Sequence, residues 1–480
     1  MFLSSAAAVN AVRAESTWRR PGSVLLISCY ELGHQPVGVA SPLAFLEHAG
    51  YRPSVRDTSV ERLDADQARR ARCVGISVPM HTALRLGVKT AEQVRKINPG
   101  CHIAFYGLYA HLNADFLLER VADSVIGGEF EDALVALVQD LEAGGTGGVE
   151  GVAQRDKPAR PVLRRLPFVL PSRALLPPLS RYARIERDGR RDVAGYVEAS
   201  RGCLHHCLHC PIPPVYGGRF FVVPKQIVQE DIRRQVQAGA THITFGDPDF
   251  LNGPGHSLAV VRSLHAEFPD VTFDFTAKVE HILERRALLP ELQRLGCAFV
   301  VTAAESLSDT VLTNLEKGHT RADIHTALQI MQGAGIALRP TWVAFTPWTT
   351  VTDYLDMLEF VAGEGLIDHV DPVQYSIRLL VPPGSTLLES PAMIPHLGRL
   401  VREAFYYEWA HPDPRMDELY LAVRRTVEQA AAEVEDPGVS FCRVRRLAEV
   451  AAGEERTAMA AVVLAPGRLR PPRLTEPWFC

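Results

Sequence analysis

The 480-residue sequence predicts an α/β protein: a doubly wound parallel-sheet domain, then a full or partial β/α barrel, closed by a helical C-terminal segment. Three observations carry this expectation. Short runs that are apolar throughout alternate with amphipathic stretches, the pattern of parallel strands covered by helices on both faces. The alternation occurs twice along the chain. Between the two series lies a Gly- and Pro-rich stretch that fits neither pattern.

In the first series, 23–28 (SVLLIS), 72–79 (RCVGISVP), 102–107 (HIAFYG) and 124–128 (SVIGG) read as strands. Helices are expected over 41–50, closed by Gly50, over 82–100, stopped by Pro99-Gly100, and over 114–122 and 131–144. Ligands of such sheets bind beyond the carboxyl ends of the strands, here at 29–38, 78–81, 107–109 and 127–129. From 143 to 180 the chain changes character: GGTGGVEG is a flexible linker, and KPARPVLRRLPFVLPSRALLPPLS is expected to run extended across the surface.

The second series places strands at 196–200, 242–247, 271–278, 298–306, 336–345 and 372–381. Helices fall at 224–239, 255–269, 281–296 (interrupted near Pro290), near 308–316, and at 321–334 and 351–365. Six strands with helical crossovers read as the barrel. Helices around 398–408 and 415–434 and a Pro/Arg-rich tail complete the chain. The expected division is an extension (1–22), a first domain (23–145), a linker (146–190), the barrel (191–390) and the C-terminal segment (391–480).

Composition excludes some function classes. Hydrophobic content is 47%, charged content 22% and net charge −5, with the basic residues scattered, so no nucleic-acid footprint stands out. No apolar run approaches the ~18 residues of a membrane span, and the first residues lack a basic n-region and a long apolar core. A cytoplasmic protein is expected. Of nine cysteines, six are dispersed singles, the type usually buried as small apolar residues.

The other three form one cluster, RGCLHHCLHCPIPP, with Cys203, Cys207 and Cys210 spaced C-x3-C-x2-C around His205, His206 and His209. Three thiolates on one tight loop can converge on three corners of a metal site. Two readings stay open on spacing alone: an iron–sulfur cluster with a corner left free, or structural zinc with a histidine as fourth ligand. Position adds to spacing, because the loop after the first barrel strand lies at the barrel mouth, where β/α barrels build their active sites.

This motif resembles the signature of radical S-adenosylmethionine (SAM) enzymes. The resemblance implies that Cys203, Cys207 and Cys210 hold a 4Fe–4S cluster whose unique iron chelates SAM. It further implies reductive cleavage of SAM to methionine and a 5′-deoxyadenosyl radical, with electrons from an external donor. An aromatic residue commonly precedes the third cysteine in that superfamily, and here it is His209. By the same resemblance Gly246, Asp247 and Asp249 after the second barrel strand, Lys278 after the third, and Glu305 and Ser306 after the fourth are SAM contacts.

The first domain resembles the cobalamin-binding domain that precedes many such barrels. That likeness implies cobalamin contacts at Ser77, Met80, Gly107, Gly127, Gly128 and Glu129. The D-x-H-x-x-G motif that supplies a lower-face histidine is absent. His34 lies in the corresponding loop, but Leu32 stands where the Asp belongs, so a cobalamin here is expected to lack a histidine ligand. Several segments (LISCYELGHQPVGVASP, CPIPPVYGGRFFVVP, ITFGDPDFLNGP, FTPWTT, IRLLVPPGS and RLTEPWFC) resemble a narrower group, the CUAEP/CCAEP-tail radical SAM proteins. That tail carries a Cys-Cys or Cys-selenocysteine pair, and Cys480 matches its first member, so a selenocysteine codon read as a stop is expected to follow.

The expected function is radical modification of a small molecule, by default cobalamin-dependent methyl transfer. One alternative is cobalamin-free radical chemistry in which a thiol or selenol tail handles a soft element such as arsenic or selenium. A zinc- or cluster-binding sensor or scaffold is the alternative outside enzymes.

Overall fold

A computed structural model describes residues 16–453, 468 and 470–475. Cys480 and the rest of the 476–480 tail motif lie outside the described residues.

The first sheet comprises β1 (Val24–Ser28), β2 (Ser54–Asp57), β3 (Cys73–Ser77), β4 (His102–Tyr106), β5 (Ser124–Ile126) and β6 (Val152–Ala153), in the order β2-β1-β3-β4-β5-β6. The first five are parallel and β6 is antiparallel to β5. β1, β3 and β5 are buried along their whole length because helices cover both faces. Leu43, Leu46, Leu134 and Leu137 pack on one face, and Leu84, Val88, Val94 and Leu117 on the other. Two strands escaped the sequence reading. β2 is an edge strand in which Val55 and Asp57 alone are buried, so it presents no apolar run. β6 comes from the expected linker.

The linker is not a surface ribbon throughout. Leu166 and Leu176 are buried. Arg173, half-buried, donates to Asp231 (2.7 and 2.8 Å), to Gln35 (3.0 Å) and to the Tyr196 carbonyl (2.8 Å), stitching the two domains together.

The second sheet opens with a hairpin, β7 (Arg184–Arg187) and β8 (Arg190–Val197), turned by Asp188-Gly189, both at positive φ. Next come β9 (Ser200–Gly202) and β10 (Phe220–Val222), an antiparallel pair that pinches the base of the cysteine loop. Parallel β11 (His242–Phe245), β12 (Thr272–Thr276), β13 (Cys297–Glu305) and β14 (Ala337–Trp342) extend from β8 into a five-stranded open barrel sheet.

Two expectations are corrected. The sixth strand over 372–381 is a 3-10 helix, Pro372–Ser376, followed by one parallel bridge between Phe345 and Arg378. The Gln374 side chain accepts the Trp342 N–H at 3.0 Å, taking the ladder bond that a neighbouring strand would have made. The helix over 398–408 is a hairpin, β15 (Leu397–Val401) and β16 (Tyr406–Trp409). Its aromatic run YYEW suits cross-strand pairing better than helical packing. Helices Pro414–Glu433 and Pro437–Ala452 follow, and β17 (Arg473–Leu474) returns antiparallel to β7. Among the described residues no helix is long and apolar enough to cross a membrane.

Candidate active site at the domain seam

The cysteine loop is built by the ladder beneath it. Gly202 sits at φ +74°, and a Cβ there would meet the Arg219 carbonyl oxygen at 2.3 Å, so only glycine lets the two sides of the loop close. Cys203 and Cys207 are buried and Cys210 is half-buried. The Cys210 N–H bonds back to the Cys207 carbonyl at 3.1 Å, and Asn252 Nδ2 lies 3.6 Å from Cys203 Sγ. Burial pushes the Cys203 thiol up, and the Cys210 thiol up to about 12, with the other loop cysteines adding to both shifts. Ionised thiolates here require a cationic centre to compensate them, and the thiol set fits a metal cluster on that ground.

Two of the three intervening histidines, His205 and His209, are struts. Lys278 Nζ donates to His205 Nδ1 at 3.1 Å and to Glu280 at 3.0 Å. Asp249, buried, accepts from Leu251 N (3.0 Å), Lys278 N (3.2 Å) and His281 Nδ1 (2.9 Å), and His205 Nε2 stands 3.7 Å from it. His205, Asp249 and His281 have the composition of a metal site, with ligand atoms within 4.8 Å of one another. The Lys278 ammonium argues against that use: it repels a second cation, and by donating to Nδ1 it leaves the proton on His205 Nε2, facing Asp249. The trio reads as a hydrogen-bonded bracket.

On the other side of the loop His209 Nε2 donates to Glu305 Oε1 at 3.2 Å, and Lys317 Nζ donates to the same oxygen at 3.1 Å. Burial would push the Glu305 carboxyl up, but the Lys317 and His209 charges outweigh it and hold the group well below the usual carboxylate range. The structure thus brings Asp249, Lys278 and Glu305 to the cysteine loop through two of its histidines.

The remaining candidates turn elsewhere. Asp247 accepts from Ala199 N (2.9 Å) and Ser200 Oγ, and burial pushes its carboxyl up to about 7. Gly246 leaves room for the Tyr196 ring, and Ser306 Oγ accepts the Ser308 N–H at 3.1 Å. His281 and Lys317 lie outside every quoted motif, and Arg201 and Tyr216 lie within quoted segments that gave them no role.

At the ligand edge of the first domain much of the polar equipment is engaged within the chain. Ser77 is buried beneath Gly38, and Met80 caps helix His81–Ile97. A Cβ on Gly107 would sit 3.3 Å from the Val78 carbonyl, one on Gly127 2.6 Å from His111, and one on Gly128 2.2 Å from the Val162 carbonyl. His34 is buried and stacks on Tyr196 of the barrel at 4.5 Å, and burial lowers its pKa to about 4. His81 Nε2 bonds the Ala404 carbonyl at 2.8 Å. The donor set fits a cobalamin held without a protein imidazole on cobalt.

Glu129 ties this edge to the cysteine loop. It pairs with Arg201 at 3.3 Å and accepts the Tyr216 hydroxyl at 2.9 Å, while Arg201 also reaches Glu131 at 2.7 Å. Burial pushes the Glu129 carboxyl up to about 7 against the pull of Arg201. Helix Leu108–Leu112, after β4, packs on helix Ile212–Tyr216, directly after Cys210. The tip of the β15–β16 hairpin inserts Phe405 into the same domain, edge-on to Phe116 at 4.8 Å.

Comparison with known proteins agrees with this geometry. Residues 23–138 match the B12 binding domain family and residues 197–360 the Radical SAM superfamily. A Methanocaldococcus jannaschii protein assigned as a methylthiotransferase is 24% identical over 300 residues, 59% of this chain and 62% of the relative. Hopanoid C-3 methylase of Methylococcus capsulatus is 23% identical over 325 residues, 65% of this chain and 62% of the relative. The chain therefore spans about 62% of the length of both curated relatives. Among solved structures, the cobalamin-dependent SAM radical enzyme OxsB with aqua-cobalamin bound superposes with a TM-score of 0.69 at 15% identity, covering 89% of this chain and 71% of that one. The radical SAM methyltransferase TsrM from Kitasatospora setae, bound to tryptophan and a SAM analogue, gives 0.55 at 18% identity, covering 71% of each chain. These two likenesses establish the fold. The chain thus carries a B12-binding domain followed by a radical SAM domain, and a 4Fe–4S cluster, SAM and cobalamin are the cofactors those domains take.

Proposed function

We propose that the protein is a cobalamin-dependent radical SAM enzyme that transfers a methyl group to, or otherwise rearranges, a small molecule at the seam between its domains. The observation that carries this reading is the Glu129–Arg201–Tyr216 junction, which joins the ligand edge of the first sheet directly to the cysteine loop. When bound, the cluster and SAM supply a radical initiator and cobalamin supplies a methyl carrier. The chain's part is placement. Cys203, Cys207 and Cys210 hold the cluster. We assign the SAM position to Asp249, Lys278 and Glu305 beside the loop, with Gly246, Asp247 and Ser306 at the adjoining strand ends, and the His205 and His209 struts fix the loop against β11, β12 and β13. Ser77, Met80, Gly107, Gly127, Gly128 and Glu129 form the cobalamin edge. The substrate is a small molecule, and an external donor supplies electrons.

We place the chain in the CUAEP/CCAEP-tail group, which raises a second reading: a tail thiol or selenol acting on a soft-element substrate. The direction of β17 favours it. Antiparallel to β7, and so parallel to β8, β17 heads toward the barrel mouth, held by Thr475 N to the Arg184 carbonyl at 2.8 Å and by Arg184 N to Thr475 Oγ1 at 2.9 Å. A UGA codon after Cys480 supports the selenol form, and UAA or UAG overturns it.

Anaerobic reconstitution followed by electron paramagnetic resonance tests the main reading. The expected result is a reduced 4Fe–4S signal that SAM perturbs, 5′-deoxyadenosine formation that Cys203→Ala abolishes, and co-purifying absorbance of added hydroxocobalamin. Stoichiometric zinc, or a cluster indifferent to SAM, overturns it.

A further inference from the structure

Lys317 follows helix Asp309–Asn314, and its side chain is only 3% exposed. Burying an ammonium this deeply costs several kcal/mol unless its surroundings return the lost hydration. An ion pair with Glu305 at 3.1 Å does part of that. The cysteine loop lies against the same turn: the Leu208 N–H bonds the Leu315 carbonyl at 3.0 Å, docking the loop on the segment that carries Lys317. Lys317 Nζ and His209 Nε2 share Glu305 Oε1, so the ammonium and the residue that precedes Cys210 are pinned to one carboxylate oxygen.

The carboxylate is held there at a cost. Glu305 has φ +65°, a left-handed conformation worth roughly 1–2 kcal/mol of strain in a non-glycine residue, at a register shift between Ala303 and Glu305. That conformation aims one oxygen, Oε1, at both His209 and Lys317. A neutral amide at 317 could serve as a strut; a buried cation adds charge. Resting on the cluster reading proposed above, we infer that Lys317 is a positioning residue that sets the reduction potential of the 4Fe–4S cluster, with Glu305 and His209 fixing its Nζ. Reduction adds one electron to the cluster, and a fixed cation in a low-dielectric site favours that form.

The test is a redox titration of the reconstituted full chain without SAM, followed by electron paramagnetic resonance, so that SAM contacts cannot enter the result. Lys317→Met is expected to lower the reduction equilibrium constant about tenfold or more, a midpoint more negative by ~59 mV for one electron. Lys317→Arg, keeping the charge, returns the midpoint toward wild type, and Glu305→Gln moves it upward. Equal midpoints for wild type and Lys317→Met overturn the inference and leave the cluster reading intact. Should Lys317→Met bind no cluster, Glu305→Gln decides: an upward shift supports the inference, and no shift or a downward one overturns it. A wild-type chain that assembles no 4Fe–4S cluster overturns the parent reading, and the inference with it.

Discussion

The two ligand edges that meet at the domain seam are built in opposite ways. At the barrel mouth, function rests on side chains: three thiols, two histidine struts and the carboxylates and ammonium groups that anchor them. At the edge of the first sheet the glycines fit against neighbouring chain and the histidines named above face inward, His34 onto Tyr196 and His81 onto Ala404. A covalently ligated cluster demands particular donor atoms at particular spacings. A large cofactor held without an imidazole ligand demands mainly a surface. The first requirement leaves a motif in a sequence and the second does not.

The sharpest way to break the comparison is at the cysteines. Cys207→Ala is expected to reduce bound iron at least tenfold, with hydroxocobalamin still bound, because the two edges belong to separate cores. Iron analysis and visible absorbance of one preparation read both outcomes. Loss of cobalamin together with iron would show one cooperative site.

Next is the junction. Arg201→Ala leaves Glu129 and Glu131, both fully buried, facing each other without their cation, and breaking a buried pair in this way costs about 3–5 kcal/mol. Urea unfolding followed by tryptophan fluorescence measures it. Arg201→Lys recovers only part of the loss, since one ammonium cannot match a guanidinium that also reaches Glu198 and Ser41. A smaller effect is expected at the hairpin. Phe405 is buried in the first domain's core yet carries φ +62°. Phe405→Ala therefore costs about 3 kcal/mol from the lost burial, and Phe405→Gly costs less than the smaller side chain alone would predict, because glycine relieves the left-handed strain.

How much of this was legible follows the same division. The fully buried strands β1 and β3 and the mostly buried β13 announced themselves as apolar runs, and the cysteine loop as a spacing. The edge strand β2, with half its side chains partly exposed, gave no such run. The stretch 372–381 looked like a strand because it is apolar, but Gln374 had replaced the backbone ladder, a tertiary substitution that no local pattern records. Lys317 and Arg201 were illegible for a related reason. Their importance lies in partners 12 and about 70 residues away.

The mildest prediction concerns Glu31, which belongs to the inward-facing edge. Its carboxylate accepts the Val37 N–H at 2.8 Å and the Gly38 N–H at 3.2 Å, holding the start of helix Val37–His48. Burial first, then Glu198 and Asp57, push its pKa up to about 8 from 4.5, outweighing those two backbone bonds. Tyr106 and the Arg173 guanidinium face it as well. The folded state therefore binds a proton that the unfolded chain has released throughout the window between pH 4.5 and about 8. The stability this group contributes is complete below that window and is lost as pH rises through it. Glu31→Gln keeps an acceptor for the helix and removes the titration. Its stability relative to wild type should rise between pH 5 and pH 7 by on the order of 2 kcal/mol, read as the difference in urea midpoints at the two pH values. Glu129 and Asp247, both raised to about 7, remain in both proteins and cancel from the difference. A gap that stays constant with pH would show that Glu31 is ionised in the folded chain, and the inward-facing edge would then carry a net charge that the barrel side must balance.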